Sequence, residues 1–219
     1  MRYAQKYAPK CFDDVWGHHG IIQRLKMFAL EPHPACFLFY GPGGVGKSAT
    51  AVALMNELGI SDWSVHKTSG AQLKVDEVRR LFTETFRLCP FGGDRFNVWQ
   101  IDEWEYVNKE VKSELKTFLS EENHPSRLIV IATSNNPSSI DAALLQRFER
   151  LQFKGDNNLA EWGTIHLGRI WHDETGNGDI LPPTIVLSGW DNGSWSMRLA
   201  MQELEAEVSA RRAREEVAA

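Results

Sequence analysis

At 219 residues the chain is long enough for one good core and a small appendage, and two domains is its upper limit. Hydrophobic residues at 42% and charged residues at 24% exclude disorder as the main state, and a net charge of -5 argues against a generally basic nucleic-acid coat while leaving room for a local basic groove inside an oligomer. Cys11, Cys36 and Cys89 are odd in number and far apart, so neither a disulfide framework nor a zinc module is indicated.

After an extended start ending at Pro9, residues 15–30 carry Ile21, Ile22, Leu25, Phe28 and Ala29 at helical spacing, and Pro32 and Pro34 end that helix. Residues 36–40 form a short, wholly apolar run, the pattern of a central parallel strand buried on both faces. A glycine-rich turn follows, and residues 49–58 read as a helix closed by Gly59. The spacing predicts another helix over 75–87, with Val78, Leu81, Phe82 and Phe86 on one face and Arg79, Arg80 and Arg87 also projecting. A strand over 96–101, a helix over 109–120, an apolar strand over 128–132 and a strand piece at 151–153 complete an alternation that implies a parallel sheet with helices on both faces.

Beyond Phe153 the loop Gly155 to Asn158 reads as a hinge. No further strand is expected; residues 159–172, 182–187 and 194–216 read as three helices. The expected organisation is an α/β nucleotide-binding domain over 1–154 followed by a small all-α lid over 155–219. No apolar run approaches the roughly 18 residues of a membrane span, so a cytoplasmic protein is expected, in the nucleoid or nucleus where DNA is handled.

The turn Gly41, Pro42, Gly43, Gly44, Val45, Gly46, Lys47, Ser48 matches Gly-x-x-x-x-Gly-Lys-Ser in its proper setting, apolar strand before and helix after. Its N–H groups can wrap phosphate oxygens, and the helix that continues through Ala49 adds the positive end of its dipole. Lys47 is expected to reach the β and γ phosphates and Ser48 to ligate Mg²⁺. The strand at 96–101 runs straight into Asp102 and Glu103, a Walker B pattern. Asp102 is assigned to the metal and Glu103 to the attacking water.

Three residues further on extend this constellation. Asn135 follows the third strand, where an amide can meet the γ phosphate or the water, with Asn136 as the competing candidate. Arg147 is expected to project from the edge of the nucleotide domain, able to complete a neighbour's site, with an ion pair to Glu149 as the bland alternative. Arg198, among Met197, Leu199 and Met201, is expected in a mostly buried setting, answered either by ATP phosphate or by Glu203.

With these residues in place the chain resembles the clamp-loader branch of AAA+ ATPases, which includes the replication factor C small subunits. The likeness begins in Lys6 to Lys10 and Phe12 to Gly17, which resemble the family's opening element around the adenine; it implies base-side contacts from Tyr7, Pro9 and Val15. Val75 to Arg79 resembles the helix start that faces DNA in the ring. The resemblance puts Asn135 at sensor 1, Arg147 on the arginine used in trans, and Arg198 at sensor 2 of the lid. It departs from the family at Ala8, where an arginine stands, at Gln146 and Phe148 around Arg147, and in having none of the zinc cysteines of bacterial subunits. The family's collar, a third helical domain on the order of 100 residues, is expected to be lacking here, so assembly is expected to run through AAA+ faces alone.

The resemblance implies Mg-ATP hydrolysis coupled to oligomerisation on DNA, in homo- or hetero-oligomers, and to loading or remodelling of a replication or repair partner such as a sliding clamp. A helicase loader, branch-migration motor or transposition-type regulator is the alternative within the class. A nucleotide-gated binding switch with little turnover is the alternative outside it.

Overall fold

The computed structural model describes residues 2–218 except 89, 121, 137, 139 and 177–179, so Cys89 lies outside it. Five parallel strands form one sheet: β1 (Ala35–Tyr40), β2 (Val65–Ser69), β3 (Asn97–Asp102), β4 (Leu128–Ser134) and β5 (Glu149–Gln152), in the order β2-β3-β4-β1-β5. The strand over Val65–Ser69 is absent from the sequence expectation. It is an edge strand with no fully buried residue, so it lacks the apolar run that marks its neighbours.

The two-residue period of the strands divides the core. Phe37, Phe39, Val98, Ile129 and Ile131 face one side, against α2 (His19–Leu30) and α3 (Lys47–Glu57). Cys36, Leu38, Trp99, Ile101, Val130 and Ala132 face the other, against α4 (Val75–Arg80), α5 (Lys109–Phe118) and α6 (Ala142–Leu145). This is the expected three-layer arrangement. The first long helix starts at His19 rather than at residue 15, because Gly17 adopts φ 84° and the Val15–Gly17 stretch is drawn toward the C-terminal helices. The predicted helix over 75–87 is regular only to Arg80 and then widens into a π turn over Leu81–Thr85.

C-terminal to the sheet lie α7 (Asn157–Thr175), α8 (Pro183–Leu187) and α9 (Met197–Ala218). Between α8 and α9 stands a hairpin, β6 (Trp190–Asp191) and β7 (Ser194–Trp195), turning at Asn192 and Gly193, both with positive φ. It corrects the expectation of no further strand and of a helix starting at residue 194. Asn-Gly between two tryptophans was the available signal. Trp195 is fully buried, donates Nε1–H to the Val186 carbonyl at 3.0 Å, and packs tightly against Gly163 and Gly189. No described helix is long and apolar enough to cross a membrane.

Candidate active site

The C-terminal ends of β1, β3 and β4 open into a cavity of about 370 Å³. Its floor is the turn between β1 and α3. Gly41 sits at φ 145° so close to the Phe153 carbonyl that a β-carbon would lie 2.0 Å from its oxygen, and Gly44 at φ 75° faces Ser196 just as closely. His18 is buried beneath the turn, its Nε2 2.9 Å from the Val45 carbonyl, and stacks edge-on against Phe153. Burial pushes the His18 imidazole below its usual range, so it stands neutral, able to donate one N–H to that carbonyl.

Lys47 opens α3 and is 92% buried, at 8% exposure. Its Nζ donates to the Gly41 carbonyl at 2.7 Å, the Pro42 carbonyl at 2.6 Å and Asn135 Oδ1 at 2.8 Å. Burial lowers its pKa to about 8; Glu105 opposes that fall and Arg198 adds to it. Gly41 and Pro42 therefore serve the lysine from behind, while Gly43 through Ala49 face the cavity.

Asp102 ends β3. Its Oδ1 accepts from Ser48 Oγ at 3.2 Å and Thr133 Oγ1 at 2.8 Å, and its Oδ2 from Gln100 Nε2 at 2.8 Å. This all-oxygen pair of Ser48 and Asp102 suits a hard cation such as Mg²⁺. Glu103 is exposed to the cavity in a left-handed conformation at φ 58°, with its N–H on Thr133 Oγ1 and its Oε2 3.5 Å from Ser69 Oγ. Asn135 lines the cavity, whereas Asn136 does not: its side chain accepts from the Ser138 N–H at 3.0 Å.

Tyr7, Pro9 and Val15 line the opposite wall. The segment that carries them is tied in two directions. α1 (Tyr3–Lys6) and Tyr7 bind Glu174 of α7, which receives the Tyr3 hydroxyl at 2.8 Å, the Tyr7 hydroxyl at 2.5 Å, the Lys6 ammonium and Arg212 of α9 at 2.7 Å. The stretch Lys10–Asp14 is tied instead to α3 and α2, through Asn56 on the Lys10 carbonyl, Glu57 on the Phe12 N–H and Lys26 on Asp13. Trp16 then returns to α7, stacked on His166 and with the Arg169 guanidinium over its ring at 4.6 Å.

Two arginines stand differently from expectation. Arg198 is exposed rather than buried, because it lies at the cavity edge in the first turn of α9, its N–H 3.4 Å from the Gly44 carbonyl; it makes no ion pair with Glu203. Arg147 lies outside the cavity, and its Nη1 is folded onto the Lys116 carbonyl near the end of α5 instead of projecting. Glu149 is paired with Arg24 at 2.7 Å, so it is not the partner of Arg147. Arg79 is held by Glu114, whereas Arg80 and Arg87 are exposed. Sequence reasoning missed Glu105, Thr133, His18 and Glu174; only Glu105, two residues past the acidic pair, carried a local signal.

Residues 37–156, more than half of the chain, match the ATPase family associated with various cellular activities (AAA). Replication factor C small subunit of Archaeoglobus fulgidus is 29% identical over 155 residues, 69% of this chain and 48% of that protein. The same subunit of Haloarcula marismortui is 29% identical over 163 residues, 73% of this chain and 50% of that protein. The chain spans about half the length of these curated relatives. Among solved structures, the Thermotoga maritima RuvB Holliday junction branch migration motor superposes with a TM-score of 0.72 over 91% of this chain and 64% of that one, at 20% identity, a likeness of fold. The glycine turn, the acidic strand end and the strand order converge with these matches: the chain belongs to the AAA family of ATPases.

Proposed function

We propose that the chain binds Mg-ATP in the cavity beneath α7 and α9 and hydrolyses it. One observation carries the reading: Lys47, Ser48, Asp102, Glu103 and Asn135 converge on one cavity between a glycine turn and a polar strand end. The roles follow from chemistry. Gly43 to Ala49 cradle phosphates, and Lys47 leaves its carbonyl partners to meet the β and γ oxygens. Ser48 and Asp102 hold Mg²⁺, which offsets phosphate charge. Glu103 takes a proton from the attacking water, Asn135 orients that water or the phosphate, and Arg198 reports phosphate to the C-terminal helices. Tyr7, Pro9 and Val15 hold the base.

In this reading residues 1–154 are the nucleotide domain and 155–219 the lid, hinged at Gly155, whose carbonyl accepts the Trp195 N–H at 2.8 Å. The chain works as an oligomer in which Arg147 swings off Lys116 to complete a neighbour's site. It acts on DNA in replication or repair, loading or remodelling a protein such as a sliding clamp. The likeness to replication factor C small subunits supports that choice.

The test is ATP turnover by the wild type and Glu103→Gln, with and without primed DNA, alongside the mass of the assembly by light scattering. Turnover that needs Glu103, rises on DNA and accompanies an oligomer is the expected result. A monomer whose turnover ignores DNA overturns the DNA partner and the trans arginine; ATP binding with no turnover overturns hydrolysis.

A further inference from the structure

We propose that Glu105 is the positioning residue that decides which end of the Asn135 amide faces the reacting phosphate. This rests on the hydrolytic reading above and deepens it. Glu105 sits in the single turn Trp104–Tyr106 that follows β3. That turn is pinned by Trp104, which is fully buried with its ring against Phe148 at 5.5 Å. From there the Glu105 carboxylate reaches across to the end of β4. It accepts from Ser134 Oγ at 2.9 Å, from the Asn135 backbone N–H at 3.2 Å and from Asn135 Nδ2 at 2.9 Å.

A carboxylate only accepts and an ammonium only donates. The Asn135 amide lies between one of each: its NH₂ end on Glu105, its oxygen on Lys47 Nζ at 2.8 Å. Both neighbours dictate the same orientation. Turning the amide over would set NH₂ against ammonium and oxygen against carboxylate, and would lose two charge-assisted bonds. When a triphosphate draws Lys47 away, one of the two constraints goes and Glu105 alone keeps the other. Asn135 then shows an acceptor, Oδ1, to the phosphate end of the cavity. An acceptor suits a water proton and repels a phosphate oxygen, so Asn135 acts on the attacking water and does not grip the γ phosphate.

The test compares wild type, Glu105→Gln and Glu105→Asp by steady-state ATP turnover, affinity for a fluorescent ATP analogue, and thermal midpoint. Glutamine keeps the shape but brings a donor that lets the Asn135 amide turn over; aspartate keeps an acceptor-only group on a shorter stem. The expected result is kcat lowered about tenfold to a hundredfold in Glu105→Gln, with KM within about twofold and the midpoint unchanged, and a milder loss in Glu105→Asp. A simple structural strut gives the reverse order, glutamine tolerated and aspartate damaging. That order, or wild-type kcat in Glu105→Gln, overturns the proposal.

A second measurement reads orientation without turnover. The side-chain amide resonances of Asn135 are identified by their loss in Asn135→Ala. Their displacement in ATP-free Glu105→Gln supports the proposal, and unmoved resonances overturn it. A wild type that binds ATP without hydrolysing it sinks the hydrolytic reading alone, and the amide resonances still decide the role of Glu105.

Discussion

Tyr7 lines the cavity and donates its hydroxyl to Glu174 of α7 at 2.5 Å, so one side chain joins the cavity wall to the C-terminal helices. Burial raises the Glu174 pKa, but the hydrogen bonds from Lys6, Tyr7 and Tyr3 outweigh it and bring the carboxyl down to about 2. A depressed carboxylate contributes stability that is complete above its unfolded value and is lost as pH falls toward the folded one. Glu174→Gln is therefore expected to lower the thermal midpoint at pH 7 and to flatten its decline between about pH 4.5 and 2. Melts across that window check it; parallel curves for variant and wild type would contradict it.

Burial sets the Lys47 pKa at about 8, and a triphosphate beside it raises that value. Binding should therefore take up protons: about half a proton at pH 8 and almost none at pH 6. Affinity stays level below about pH 7 and weakens above pH 8, by up to about tenfold per pH unit. Calorimetry in buffers of contrasting ionisation heat measures the uptake, and identical heats at pH 8 would refute it.

Two glycines of α7 should respond oppositely to alanine. At Gly163 a β-carbon would lie 2.1 Å from the Trp195 ring, which is buried and unable to give way, whereas at Gly168 nothing lies within 4 Å. Gly163→Ala is expected to cost about 1–3 kcal/mol or more, and Gly168→Ala to stabilise by about 0.5–1 kcal/mol. Urea unfolding of both variants decides the matter.

Arg147 is folded onto Lys116, so its proposed work requires a neighbour. Arg147→Ala should lower turnover by about 10³-fold or more, as removal of a phosphate-stabilising arginine does. Mixing Lys47→Ala with Arg147→Ala should restore activity that neither shows alone. No recovery from a mixture shown by light scattering to co-assemble would rule out sharing between subunits.

Much of this architecture is legible in the sequence because burial on both faces makes β1 and most of β4 continuously apolar and β3 largely so, and phosphate chemistry forces the glycine spacing at 41–46. β2 escapes notice because Val65–Ser69 is half-wet and mixes His66, Lys67 and Thr68 among its residues. Arg198 was misjudged from its neighbours in sequence. A helix turns successive residues onto different faces, so Ala200 can be fully buried while Arg198 meets the cavity. Glu174 lies 167 residues from Tyr7, and no local pattern announces a pairing across that separation.

The opposed tethers of the N-terminal stretch have a mechanical consequence. Tyr3, Lys6 and Tyr7 are bound to α7, Lys10 to Asp14 are bound to α3 and α2, and only Ala8 and Pro9 lie between the two anchorages. If α7 and α9 swing about Gly155, the change must be absorbed across that two-residue span, where proline leaves one backbone torsion rigid, and again at Val15 before Trp16 returns to α7. Such a swing would change the width of the slot lined by Tyr7, Pro9 and Val15, coupling that wall of the cavity to the position of the C-terminal helices.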